Sequence, residues 1–271
     1  MHRFHVVTIF NDTDCYRRMR SSMAAVGFDS QTCRFTALDN HLTNVHDPYQ
    51  VLQRLGGDGE EPYVILCHQD LLFDHATSAE TLTLRLAHLD ELDPAWAIAG
   101  TAGGDRGGSA VLHLDDPTGS YRWPTLPHLV VTLDENFLVL RRSQYVRPTP
   151  SLSGFHLYGT DLGLNATVQR KSCYVIDFPV HHLSAGDPEG QAFIAAEREL
   201  VREWRSRLMW GVVKTTCTTL SISFVPPAER VLAARRVRRF LCDHRWTLCP
   251  LPSWFATQPT RSTQPGHVPH P

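Results

Sequence analysis

Apolar and polar positions alternate in blocks over the first hundred residues. His5 to Phe10, "HVVTIF", is an apolar run that predicts a buried strand, and it stops at Asn11 and Asp12. In "DTDCYRRMRSSMAAVG", Cys15, Met19, Met23 and Val26 recur at helical spacing, and Gly27 is suited to end the helix. "TCRFTALDN" predicts a second strand, ending at Asp39 and Asn40. "DPYQVLQRLGG" predicts a second helix, with Pro48 near its start and Gly56-Gly57 after its end. "YVILC" predicts a third strand, which runs straight into His68, Gln69 and Asp70. Thr77 and Glu80 fit a capping box opening a helix striped by Leu82, Leu86 and Leu89. "WAIAG" predicts a fourth strand, and the glycine-rich "GTAGGDRGG" follows it.

This alternation predicts an α/β fold, a mostly parallel sheet with helices on both faces. Ligands in such sheets bind beyond the carboxyl ends of the strands. Asn11-Asp12, Asp39-Asn40 and His68-Gln69-Asp70 should therefore gather along one edge; the plainer alternative is that polar residues follow strands everywhere.

The second half is less regular. "SAVLHL" and "HLVVTLDENFLVLRR" read as strands, "YGTDLGLNATVQRK" as a helix, and "SCYVIDFPV" as a strand followed by His181-His182. "EGQAFIAAERELVREWRSRLM" predicts one long amphipathic helix with Phe193, Leu200, Val201, Trp204 and Leu208 on a face. "PPAERVLAARRVRRFLCDHR" predicts a final helix with a basic side. From about Gln258 the chain is rich in proline and polar residues, a composition that predicts disorder. The expected division is a domain over 1–190, a C-terminal helical extension over 191–255 and a tail over 256–271.

Composition narrows the function classes. The net charge of −2 gives no general attraction to nucleic acid. Seven cysteines without a CxxC pair suit reduced thiols, so a cytoplasmic location is expected. No apolar run is long enough to span a bilayer, and "MHRFHVVTIFND" lacks the features of a secretory signal. Arg235, Arg236, Arg238 and Arg239 form either a solvated face or a weak contact with a membrane surface or an anionic acceptor.

Several residues could carry chemistry. Asp70 and His182 suit a magnesium or manganese ion bound to a diphosphate, since such ions take few protein ligands and imidazole favours manganese. The alternative for His182 is a strand cap. Asp161 is either a helix-start acid or a general base. Asp134 and Glu135 interrupt an apolar strand, which costs free energy unless they are exposed, paired or lining a pocket. Gly100, Gly103, Gly104, Gly107 and Gly108 would let backbone approach a substrate. No GxGxxG fingerprint, P-loop or GxSxG elbow is present.

Taken in order, "VILCHQDLLF", "WAIAGTAGG", "VVTLDENFLVLRR", "GFHLYGTDLGLNA" and "VHHLSAG" resemble bacterial glycosyltransferase-like proteins related to family 2 glycosyltransferases, which have a GT-A (Rossmann-like) fold. The resemblance covers roughly Val6 to Gly186. It implies a nucleotide-diphosphate sugar donor (a UDP-sugar favoured), Mn2+ or Mg2+, and inverting transfer to a hydroxyl of a glycan or other acceptor. It implies Asp70 and His182, with His181 second to His182, as metal ligands. Phe10, Asn11, Asp12, Asp39, His68, Gln69, Gly100 and Gly103 would lie on the donor side. The sequence departs from the family at His68, where an aspartate is usual, and at Gly159, where the base would fall. Asp161 would then be the base, or else His156; Glu135, in "LDENF", is similar to acids lining the donor or acceptor pocket and is counted with the catalytic residues. Two alternatives stay open: a nucleotide-sugar or glycan binder without turnover, and a metal-dependent hydrolase using His68, Asp70, His181 and His182.

Overall fold

The computed structural model describes residues 2–56, 59–184, 186 and 189–250. The tail expected from about Gln258 lies outside the described residues.

The first half forms as the periodicity predicts. Strands β1 (Phe4–Phe10), β2 (Cys33–Asp39), β3 (Tyr63–Cys67) and β4 (Trp96–Gly100) alternate with helices α1 (Thr13–Ala25), α2 (Pro48–Leu55) and α3 (Ala79–Leu92). Each helix starts on a side-chain cap: Asp12 accepts from the amides of Asp14 and Cys15, Asp47 from Tyr49 and Gln50, and Ser78 from Thr81. These caps satisfy amide groups that have no partner within the helix. Farther on come β5 (His128–Val130), β6 (Phe137–Arg141), helix α4 (Tyr158–Val168) and β7 (Ser172–Val175).

The seven strands make one mixed sheet in the order β5-β7-β4-β6-β3-β1-β2. β1 is parallel to β2 and β3, and β7 is parallel to β4. β6 runs antiparallel between β3 and β4, and β5 runs antiparallel at the edge. Five of the seven strands thus point one way.

Successive side chains divide between the two faces, as the pleat requires. Val7, Leu66, Leu138 and Leu140 pack with residues of α2 and α4. Phe4, Val6, Ile65, Phe137 and Val139 pack on the other face with Met19, Met23, Leu82, Leu86 and Leu89 of α1 and α3. Each such fully buried side chain contributes roughly 1.5–3 kcal/mol relative to exposure.

Two smaller sheets sit over the strand ends. Ala102–Gly104 pairs with Ala110–Leu112 and Thr132–Leu133. Leu71–Leu72, His181–His182, Leu114–Asp116 and Gly119–Tyr121 form the other.

The C-terminal part differs from the helical extension expected. Helix α5 (Gln191–Trp204) stops before Leu208. Leu208–Lys214 and Thr219–Ser223 form an antiparallel hairpin, joined by Leu248–Pro250 as a third strand. The run "LMWGVVK" is rich in aromatic and β-branched residues and belongs to a strand. The predicted last helix is two helices, α6 (Ala228–Ala233) and α7 (Arg235–Asp243), separated by extended Ala234. This part shares the central core: Phe193, Leu200, Trp204, Val213 and Ile222 pack in one cluster with Val7 and Leu66.

Candidate functional site

A cavity of about 600 Å³ opens where β1 and β3 end. Phe10 and Asn11 follow from β1, Asn40 and Asn44 from the loop after β2, and His68, Gln69 and Asp70 from β3. Gln69 ties two of these ends together. Its Oε1 accepts the backbone amides of Asn11 and Asp12 at 2.9 Å each, and its Nε2 donates to Asn11 Oδ1 at 2.7 Å. Phe10 is held by a stacked Tyr16, with ring centroids 4.5 Å apart.

Asp70 and His182 meet because two very short strands pair antiparallel, with Leu71 opposite His182 and Leu72 opposite His181. The backbone of Leu183 donates to Asp70 O at 2.9 Å. His182 Nε2 lies 3.3 Å from Asp70 Oδ2. Donor atoms of His68, Asp70 and His182 all fall within 4.8 Å of one another. Ser184 Oγ donates to Asp70 Oδ2 at 2.5 Å. Burial opposes ionisation of Asp70, but hydrogen bonds from His182 and Ser184, then the charges of His182 and His68, hold it well below the carboxylate range. Burial likewise opposes charge on His182, and Asp70 outweighs it, so this imidazole is raised. Burial and then the neighbouring His182 lower His68. A deprotonated carboxylate beside imidazoles is a donor set for a divalent cation.

Glu135 also lines the cavity. Burial, reinforced by the charge of Asp134, raises its pKa to about 8, while the backbone amides of Gly159 and Thr160 act the other way. The Gly159 amide donates to Glu135 Oε1 at 3.0 Å. The first turn of α4 thus presents its unpaired amides to this carboxylate. A Cβ at Gly159 would stand 2.5 Å from Leu133 O and 3.2 Å from Glu135 Oε1. Gly159 is therefore required where it stands, and the acid beside it is supplied by Glu135. Tyr158 joins Glu135 to the His-Asp-His cluster: its hydroxyl donates to Glu135 O at 3.3 Å and lies 3.3 Å from His68 Nε2.

Other predicted residues lie elsewhere. Asp161 is wholly buried and absent from the cavity wall. Its carboxylate accepts from Thr149 N (2.6 Å), Thr149 Oγ1 (2.8 Å), Asn165 Nδ2 (3.1 Å) and Trp204 Nε1 (2.8 Å). With no path to a substrate proton, it joins α4 to α5 and the loop before α4. His181 faces away from His182, pairing with Asp74 at 3.0 Å and Asp115 at 3.1 Å. Alternation along the strand forces neighbouring residues to opposite faces. Asp12 is the α1 cap, and Asp39 accepts the amide of His41; neither lines the cavity. Gly100 and Gly103 approach protein and not ligand, since a Cβ would meet Phe137 O at 3.1 Å and Thr132 O at 2.1 Å respectively. His156 does line the cavity.

Several wall residues carried no motif in the sequence. Thr216 and Cys217 come from the tip of the C-terminal hairpin, where Thr216 Oγ1 donates to Asp134 Oδ2 at 2.8 Å. Phe193 comes from α5, its ring 5.6 Å from that of His156. Their place in the wall follows from the C-terminal part folding back over the strand ends, whereas Asn136, Phe155, Tyr158 and Ser184 adjoin residues or motifs already singled out.

Fold and site together define an α/β protein with a His-Asp-His cluster and a half-buried acid facing one cavity at the sheet edge. The chain is 32% identical over 214 residues to "ATP synthase subunits region ORF 6" of Fuscovulum blasticum, covering 74% of this chain and 83% of the relative, and it belongs to that protein's family. No family model matches it. Among solved structures it is similar to S. aureus TarS in complex with UDP-GlcNAc, at 12% identity and TM-score 0.47, over 76% of this chain. The chain spans 65% of the length of that TarS chain. It is also similar to a Drosophila β1,4-galactosyltransferase 7 mutant in complex with manganese, UDP-Gal and xylobiose, at 11% identity and TM-score 0.45, over 70% of this chain and 73% of that one.

Proposed function

We propose that the cavity binds a nucleotide-diphosphate sugar, a UDP-sugar favoured, with a divalent cation, and transfers the sugar to an acceptor hydroxyl in the manner of GT-A glycosyltransferases. The observation that carries this reading is that His68, Asp70 and His182 share one cavity with Glu135, a carboxyl whose pKa is raised to about 8.

His68, Asp70 and His182 would hold the cation, and one carboxylate with two imidazoles fits manganese better than magnesium. When bound, such an ion neutralises charge on a leaving diphosphate. Gln69 fixes the Asn11-Asp12 turn and so the wall of the donor pocket. Asn11 and Asn44 offer amides to a nucleotide, Asn40 being spent on the backbone of Val45 and His46, and the stacked Phe10 offers an apolar surface. Glu135, in its ionised form, takes the proton of the acceptor hydroxyl. That oxygen bonds to the anomeric carbon as the bond to the diphosphate breaks, with inversion when attack comes from the opposite face. A base with a pKa near the working pH is the efficient one. This reading assigns the base to Glu135 in place of Asp161.

The test is thermal unfolding of the full chain with a panel of nucleotide sugars, with and without manganese, followed by product assays. A donor that binds the folded state raises its stability by mass action. Metal-dependent stabilisation by one nucleotide sugar, with turnover lost in Glu135→Gln, is expected. Binding without turnover in the wild-type protein would leave a non-catalytic binder. Zinc retained through purification, with no response to any nucleotide sugar, would favour a metal-dependent hydrolase built on the three remaining donors, His181 being turned away.

A further inference from the structure

The C-terminal part carries a feature that the cavity does not use. From Met209 to Pro250 the chain has seven Lys and Arg against two Asp and Glu, although its net charge is −2. This excess is concentrated on α7. Arg236, Arg239 and Phe240 stand at i, i+3 and i+4, hence on one side of that helix. Val237 and Leu241 occupy its inner side, packing with Val212 and Leu232. Among the described residues Arg235, Arg236 and Arg238 make no ion pair, and Arg239 reaches only Asp243, at 3.9 Å.

Large apolar side chains are exposed on the same part of the molecule. Phe240 is 51% exposed and Trp246 59%, with Val225 and Val231 at 55% and 58%. The Phe240 ring lies 4.3 Å from that of His244 and 6.1 Å from that of Trp246. The Trp246 backbone is anchored, its carbonyl accepting from Trp210 Nε1 at 3.1 Å. An aromatic cluster held outward beside unpaired arginines is matched to a bilayer interface, where aromatic rings sit at headgroup level and basic residues meet anionic lipid.

We infer that the outer face of α7, with Phe240 and Trp246, docks on an anionic lipid surface. The charge complementarity selects anionic headgroups, and the exposed rings select an interface with apolar depth over a soluble polyanion. The basic helix would lie flat, with both rings entering the headgroup region. Attachment would be peripheral and reversible, since among the described residues no helix is long and apolar enough to cross a membrane.

The experiment is co-sedimentation of the full chain with vesicles of phosphatidylcholine alone and of phosphatidylcholine mixed with phosphatidylserine. The protein should pellet with the mixed vesicles only, and should be released at about 1 M salt, where the Debye length falls to about 3 Å. The double variant Arg236→Ala with Arg239→Ala should lose about 30-fold in partitioning, since each basic residue near such a surface is worth about 1 kcal/mol. Phe240→Ser with Trp246→Ser should lose binding while retaining the cavity's response to metal. Equal partitioning to both vesicle types, no partitioning to either, or wild-type binding by both double variants would overturn the inference. The salt dependence of the wild-type protein decides the matter even where a variant fails to fold.

Discussion

Two acids flank the first turn of α4, and their surroundings are opposite. Glu135 faces the cavity and takes two backbone amides, from Gly159 and Thr160. Asp161, one residue beyond Thr160, faces the core and takes four donors from Thr149, Asn165 and Trp204. Both pKa values are raised, chiefly by burial. What separates them is access: one can exchange a proton with a bound molecule, the other has every lone pair engaged. Environment sets the roles of neighbouring carboxyl groups more firmly than residue type does.

The largest expected effect breaks the pair apart. Glu135→Gln should lower turnover by about 10²–10⁴-fold, the usual weight of a positioned general base. Its unfolding free energy at neutral pH should hold or rise, because glutamine needs no proton taken up on folding to stay neutral in that site. Asp161→Ala should do the reverse. Four donors lose their acceptor, and an unsatisfied buried group costs about 1–3 kcal/mol, so denaturant unfolding should show a loss of at least about 3 kcal/mol. Equal loss of stability in both variants would erase the distinction.

The pH dependence sharpens the same contrast. The Glu135 pKa moves from 4.5 to about 8 on folding. Between those values the folded protein keeps a proton that the unfolded chain has released, so stability falls as pH rises through this window and levels off above it. Activity moves the other way, since the base must be ionised, and its rising limb should centre near pH 8. Glu135→Gln should flatten the Glu135 part of the stability slope, as measured by unfolding at a series of pH values.

Much of one side of this contrast was legible in the sequence. Strand ends are announced locally, so His68, Gln69 and Asp70 followed from an apolar run that stops, and Glu135 from an acid interrupting another. Asp161 shows the limit. A carboxylate at a helix start reads alike whether it faces solvent, substrate or core, and here Trp204, forty-three residues away, decides. The glycine-rich segment misled for a related reason: the backbone that approaches Gly103 is Thr132, brought in by sheet pairing. The C-terminal strands were hidden because the helical period of α5 continues numerically to Leu208 after the helix itself has ended.

Gly159→Ala probes the boundary between the two acids. Its Cβ would lie 2.5 Å from a backbone oxygen, Leu133 O, which cannot rotate away. Overpacking of this kind costs about 1–3 kcal/mol. Because Glu135 Oε1 is 3.2 Å from the same Cβ, the rising limb should also shift from about 8. A stability loss with the limb unmoved would mean that the Gly159 amide does not position Glu135.

Trp204→Phe is the mildest change and the most exacting test. Trp204 is wholly buried in the core, and its indole N–H donates to Asp161 Oδ1 at 2.8 Å. Phenylalanine keeps most of the packing and removes that single donor, while Thr149 and Asn165 continue to serve the carboxylate. The loss should be about 1–2 kcal/mol, a hydrogen bond plus a small cavity. Nothing that touches Glu135 changes, so the limb near pH 8 should stay where it is. A displaced limb would show that the core side of the α4 turn sets the proton affinity on the cavity side, and the two acids would then have to be treated as one unit.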